Sequence, residues 1–313
     1  MVAALLATLW PLLVYSTSLA LFGLAHVLFE LRYVDARFGA RFSPGFWLRC
    51  AVPLALIVGL RALRLFDVIG SDVSVGGEMA LLTVLVAIAV PVAWAHADAQ
   101  GDRNSRVVVV VAVVVVAVLG LSSLQAPILV LLTLAVLHNA TPLAFVVERA
   151  PAGQRLRTAL IASALFFGVP ALVATGAPTL LLADVIDLDK TLLSSTGPLV
   201  DHYAVYLWPG LRDDVIAAQL FSAAVCAQLL HYAAVIFYLP RTLTPAERPT
   251  LPWPRPALFV VVVVALSLGL LVHFALDFKG ARALYGLVAA VHAWIELPVL
   301  IAGFAVVARS PRR

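Results

Sequence analysis

Nine stretches of mostly apolar residues run through this chain, at roughly 4–31, 46–66, 78–97, 107–122, 126–146, 157–176, 215–239, 256–276 and 283–308. At 1.5 Å rise per residue, about 20 such residues carry a helix across the hydrocarbon core of a bilayer. Within that core every backbone N–H and C=O must be paired by the protein itself, which leaves only helices and closed barrels. The block VVVVVAVVVVA at 107–117 is β-branched and strand-like by propensity. A lone strand in lipid would leave its backbone unpaired, so a helix is expected there as well. Of the 313 residues 63% are hydrophobic and 12% charged, and a soluble domain of this size has no interior to hold that much apolar surface. The expected fold class is all-α: a polytopic membrane bundle forming one transmembrane domain over 1–313, with nine spans. Eight is the competing count, because the fourth stretch is short and joins the fifth through the tight turn Ser122, Ser123 and Pro127.

The charges between the stretches set an orientation. Arg32, Arg37, Arg41 and Arg49 follow the first; Arg103 and Arg106 the third; Arg149, Arg155 and Arg157 the fifth; Arg241, Arg248 and Arg255 the seventh; Arg309, Arg312 and Arg313 close the chain. The alternate connections are poor in basic residues, and 177–214 carries Asp184, Asp187, Asp189, Asp201, Asp213 and Asp214 against Lys190 and Arg212. The positive-inside rule then places the N-terminus outside and the C-terminus in the cytoplasm, in the plasma (inner) membrane. Under that orientation 177–214 is an outer loop, expected to lie on the membrane surface as an interfacial helix, with Asp184, Asp187 and Asp189 as a solvated face. Arg61 and Arg64, at the outer end of the second stretch, are expected to snorkel to the interface. The net charge of +4 follows from the cytoplasmic arginines and points to anionic membrane lipids as partners, with no nucleic acid, since no soluble basic domain is present. The first stretch lacks a basic n-region and reads as a retained helix. Cys50 and Cys226 fall in or beside apolar stretches and are expected as reduced thiols. No fixed-period repeat is visible, so an inverted-repeat transporter plan gains no support.

Four histidines sit inside these stretches, His26, His138, His231 and His292, on the first, fifth, seventh and ninth, which run in one direction. An ionisable group at membrane depth is costly and normally faces a bundle interior, where it marks a site. Counting 1.5 Å per residue to the next arginine, His138 lies roughly 16 Å and His231 roughly 15 Å from Arg149 and Arg241; the corresponding spans are roughly 25 Å for His292 and roughly 9 Å for His26, whose helix has room to continue towards Arg37. Depth therefore favours a His138/His231 pair. Glu30 and Glu296 follow His26 and His292 by one turn, on the same helical face. Each is a candidate second ligand, or the acceptor that fixes its histidine's tautomer; the bland alternative is a hydrogen bond to its own histidine or, for Glu30, to an arginine. His96, beside Trp94 at a span end, is a weaker candidate, and His202 and His273 are not favoured. Imidazoles with carboxylates suit iron, and also manganese or zinc. His138 and His231 facing each other across a haem is the alternative.

The chain has no GxxxxGK[ST] phosphate loop, GxSxG elbow or CxxCH haem attachment. The segment Gly23-Leu-Ala-His26, with membrane histidines on separate helices, resembles the bacteriorhodopsin-related membrane dioxygenases that cleave β-carotene. That family has proline before and glycine after the first histidine, where this chain has Ala25 and Val27, and its His-x3-His pair does not appear here. The resemblance carries over no ligand; it implies only that an isoprenoid-like substrate belongs among the candidates. The residues together lead to the expectation of a membrane-embedded, metal-dependent oxidoreductase or oxygenase. Non-haem iron would be held by His26, Glu30, His138, His231, His292 and Glu296, and the substrate would be a lipid-soluble small molecule, with a redox partner supplying electrons. A b-type haem electron-transfer protein comes second; a proton-coupled transporter or a non-catalytic membrane partner comes third.

Overall fold

The computed structural model describes residues 2–100, 103–214 and 216–307, and all regular structure among them is helical. Arg309, Arg312 and Arg313 lie outside the described residues. Eight helices are long and apolar enough to cross a membrane: Pro11–Phe38, Pro44–Leu65, Ser71–Ala99, Arg106–Gln125, Ala152–Ala174, Ala217–Thr242, Pro256–Leu276 and Phe278–Ala305. The chain is thus an integral membrane protein. A further pair, Pro127–His138 and Thr141–Arg149, meets the same test only when taken together and is bent by 45°.

Prolines set many of these boundaries. Pro11, Pro44, Pro127 and Pro256 each begin a helix, where the missing N–H would have had no intrahelical partner. Ser43 caps the second of these, accepting from the Phe46 N–H at 3.2 Å. A short helix, Val2–Leu9, precedes Pro11, so the expected stretch 4–31 is two helices and the second runs on through Arg32 and Arg37 to Phe38. The ninth helix begins at Phe278, five residues earlier than expected; Asp277 alone separates it from its predecessor and accepts from the Gly280 N–H at 3.0 Å. The expected straight span 126–146 is corrected to a broken one. Pro142 has no N–H to give the carbonyl four residues back, and its ring crowds that carbonyl, so the helix ends at His138. The Thr141 hydroxyl donates to that carbonyl instead, at 2.7 Å.

The chain divides into two compact units. The first comprises Met1–Glu30, Leu132–Leu243 and Trp253–Tyr285. A core within it gathers Leu12, Tyr15 and Leu19 with Phe221, Val225, Phe274 and Phe278. The segment 177–214 belongs here, and it is not one interfacial helix but a string of short helical pieces of at most seven residues. Thr196, Leu199 and His202 are buried in the fold. Asp189 accepts from the Leu199 N–H at 2.7 Å, Ser195 donates to the Phe274 carbonyl at 2.6 Å, and Lys279 pairs with Asp201 at 2.9 Å. Asp184, Asp187 and Asp189 are all exposed, as a solvated face requires, and Asp189 is in addition a structural acceptor. Gly176 and Gly197, which bracket the first half of this segment, both take positive φ and turn the chain where a continuous helix would have to run on.

The second unit comprises Leu31–Leu131, Thr244–Pro252 and Gly286–Arg313. Its interior holds Ile57, Met79, Leu82, Leu85 and Val86, with a smaller cluster of Ala93, Ala97, Val109 and Ala305. The valine block turns one side to that cluster and leaves Val110, Val111, Val113 and Val114 exposed, as a helix bathed in hydrocarbon does. Arg61 does not snorkel. It forms a two-pronged ion pair with Glu78, at 2.9 and 2.6 Å, and donates to the Gly286 carbonyl at 2.8 Å. Pairing satisfies the charge inside the protein, where a fork of N–H donors fits a carboxylate. Asp35 accepts from the Thr250 hydroxyl and from the N–H groups of Thr250 and Leu251, and Arg37 pairs with Glu247, which fastens 244–252 to the end of the Pro11–Phe38 helix.

Candidate functional site

Three of the four membrane histidines come together in the first unit. His26 is on Pro11–Phe38, His138 is the last residue before the break in Pro127–His138, and His231 is on Ala217–Thr242. Their ring centroids lie 4.6 Å apart for His138 and His231 and 5.2 Å for His26 and His231. One ring nitrogen from each lies within 4.8 Å of the others. His26 and His231 are 2% and 0% exposed. Counted along its helix, His26 is twelve residues, roughly 18 Å, from Phe38, and His231 is eleven residues, roughly 16 Å, from Thr242. His138 stands at the break before Thr141–Arg149.

Local structure aims each ring. His26 Nδ1 is 3.2 Å from the Phe22 carbonyl, which can only accept, so the proton is on Nδ1 and the lone pair on Nε2. Its flat face stacks on Tyr232 at 4.2 Å. Gly23, one turn before, admits Tyr285: a Cβ there would meet the tyrosine ring and Leu19 at 3.3 Å. His231 stands just before a single π-helical turn, Ala234–Tyr238, which ends two residues before Pro240. The Ala164–Gly168 turn stands in the same relation to Pro170. Widened turns of this kind relieve the clash of a proline ring with the helix behind it and recur near functional groups. A polar chain backs Tyr232: Tyr206 donates to Gln228, whose amide donates to Ser18 at 3.3 Å and to the Tyr232 hydroxyl at 3.1 Å.

Glu30 is fully buried, and its carboxylate reaches His231 Nε2 at 3.4 Å. The i+4 spacing that pairs it with His26 in the sequence is thus not its only use, since it serves a histidine on another helix. His292 and Glu296 belong to the second unit, on Phe278–Ala305; they are 2% and 0% exposed and share one helical face. His292 is thirteen residues, roughly 20 Å, from Ala305. His96, also in the second unit, donates from Nδ1 to the Val92 carbonyl at 2.8 Å and lines a surface pocket with Arg41 and Arg49, without joining the histidine group.

Two further polar clusters escape a reading of the sequence. Glu78, which accepts from the Trp294 indole at 2.8 Å as well as from Arg61, was signalled only by opposite charges inside two apolar stretches. His202 carried no signal. It is wholly buried, its Nε2–H donating to the Thr196 carbonyl at 2.9 Å and its Nδ1 accepting from Arg282 at 3.0 Å. Burial, with the Arg282 charge adding to it, pushes its pKa below the usual 6.5 against the opposing pull of the Thr196 hydrogen bond. Both cysteines are free and buried.

The first unit has an apolar cavity of about 350 Å³, lined by sequence neighbours of His138 and His231 and by none of the histidines themselves. Leu137 and Ala140 flank His138 in sequence, and Ala227 precedes His231 by one turn; all three line it. Chemically, three imidazoles on three helices with a carboxylate against one of them make a donor set for a divalent metal. Ligands at about 2.0–2.2 Å from one ion stand about 3–4 Å apart, within a small side-chain adjustment of the observed spacing. Compared with protein-family models, curated proteins and solved structures, the chain finds no match.

Proposed function

We propose that the protein is a membrane-embedded, metal-dependent oxidoreductase or oxygenase that acts on a lipid-soluble substrate, with non-haem iron as the metal. The observation that carries this reading is the convergence of His26, His138 and His231, with ring nitrogens within 4.8 Å of one another. Imidazole nitrogens at this density serve no packing purpose that apolar side chains would not serve at lower cost in the membrane. Glu30 orients His231 or joins the metal directly; such partners of ligating histidines are worth about 10–100-fold in metal affinity. Within the second unit, His292 and Glu296, both buried and one helical turn apart, are proposed as a ligand and its orienter. The bent pair is read as one broken span, giving nine with the N-terminus outside and the C-terminus cytoplasmic, the plasma membrane as location and a redox partner on the arginine-rich side.

The choice of non-haem iron over haem rests on space. A porphyrin between two axial histidines needs a broad flat slot around the metal. Here His26 on one side and Glu30 on another crowd the ring of His231 at 5.2 and 3.4 Å. Iron held there would supply oxygen activation, and the surrounding apolar side chains would keep water from the reacting carbon. Expression with iron, manganese or zinc, followed by metal analysis and a visible spectrum, tests the assignment. Bound iron without a sharp haem band is the expected result; a haem band would move the function to electron transfer, and no bound metal under any supply would remove the enzyme reading.

A further inference from the structure

The apolar cavity of the first unit has a chemistry of its own. Its volume, about 350 Å³, is at the lower end of small-molecule sites, about 300–1,000 Å³. Among the described residues, no charged side chain lines it. Ala171, Ala223, Ala224 and Ala227 contribute only small side chains to this space between helices, called the slot below. Leu137 and Phe167, on its rim, are 48% and 49% exposed, which opens the slot sideways to lipid. The polar side chains are few and mostly at one end: the Tyr206 hydroxyl and the Trp208 indole belong to the 177–214 connection, with Leu211 next to them. From Leu220 near that end, the Ala217–Thr242 helix passes Ala224 and Ala227 and reaches His231 after eleven residues, roughly 16 Å.

Resting on the metal-site reading above, we infer that this slot holds the substrate. It would be an uncharged molecule with a long, slender hydrocarbon chain and one hydroxyl-sized polar end, lying along Ala217–Thr242. The polar end sits at Tyr206 and Trp208, and the chain enters laterally between Leu137 and Phe167. The carbon that reaches the histidines is then about 16 Å along the chain from the polar end, so the reaction is directed to a remote, unactivated position. Binding energy from the chain holds that position in register with the metal, which is the way a site lined by apolar side chains selects a carbon atom with no functional group of its own.

Photolabelling of the purified protein in phosphatidylcholine nanodiscs, with 1-hexadecanol carrying a diazirine at its terminal carbon or beside its hydroxyl, tests this directly. The terminal diazirine is expected to label peptides containing Leu137, Ala140 and Ala227; the hydroxyl-end diazirine is expected to label Tyr206–Leu211. Ala224→Trp, or the milder Ala224→Leu if the tryptophan variant does not assemble, is expected to cut terminal labelling at least tenfold with bound metal unchanged. Equal labelling of the lipid-facing helix Arg106–Gln125, no response to either Ala224 variant, or a co-purified phospholipid that the alcohol fails to displace would overturn the inference. Loss of specific labelling in a protein that still binds metal overturns the slot alone; specific labelling in a protein without metal overturns the metal reading alone.

Discussion

At the scale of single residues, the role of each buried polar group follows from what it is paired with. Glu30 reaches His231 at 3.4 Å in a fully buried setting. Glu30→Gln keeps the shape and removes the charge, so the variant should insert and purify as the parent does while metal affinity falls about 10–100-fold. Glu296→Gln should do the same if Glu296 orients His292; unchanged metal affinity in both variants, measured by competition with a chelator, would reduce the carboxylates to packing. His202 gives a prediction about pH. Its pKa is lowered in the folded protein, so below the ordinary value of about 6.5 the unfolded chain takes up a proton that the folded chain refuses. Stability is therefore fully present above that value and declines as pH falls beneath it, and protease cleavage within 177–214 should speed up as pH is lowered through and below that value. His202→Gln, whose amide can donate to Thr196 and accept from Arg282, should flatten that dependence; an unchanged profile would show that another group sets it. His26, His231 and Glu30 stand out in the sequence because ions in apolar stretches are conspicuous. His202 does not, since its burial comes from tertiary packing of a loop that is polar by composition.

At the scale of elements, apolar length was a reliable guide and punctuation was less so. The stretches 46–66, 157–176, 215–239 and 256–276 match helices to within a few residues, since hydrocarbon thickness fixes both length and conformation. The break after His138 was written in the sequence as His138-Asn-Ala-Thr-Pro142, but a run of apolar residues on both sides masked it. The same masking concealed Asp277 as a helix divider and the two π-helical turns before Pro170 and Pro240. Broken helices at membrane depth are tolerated where the loosened backbone is buried in protein, and Asn139, in the break after His138, is buried. Whether the bent pair crosses the membrane decides the span count. Cysteines placed at Ser123 and at Gly153 should react with a membrane-impermeant maleimide from opposite sides, Gly153 from the cytoplasmic one. Labelling of both from one side would make the pair re-entrant and the count eight, and would reverse the orientation read from Arg149, Arg155 and Arg157.

For the whole molecule, the membrane character was legible in the amino-acid sequence alone, from its hydropathy and the alternation of arginines. The grouping of the helices into two units was not, because both units draw on distant parts of the chain and hydropathy has no memory of partners. The same limit applied to the site: sequence order supplied the candidates and their helix direction, while the meeting of His26 with His138 and His231 needed the folded structure. The central claim is that these histidines hold a metal. Its most direct test is metal stoichiometry on monodisperse parent protein beside His138→Ala and His231→Ala, all grown with iron supplied. Close to one iron per chain is expected in the parent, with a loss of tenfold or more in each variant at unchanged yield and monodispersity. Equal metal in all three proteins, or none in the parent, would contradict the claim.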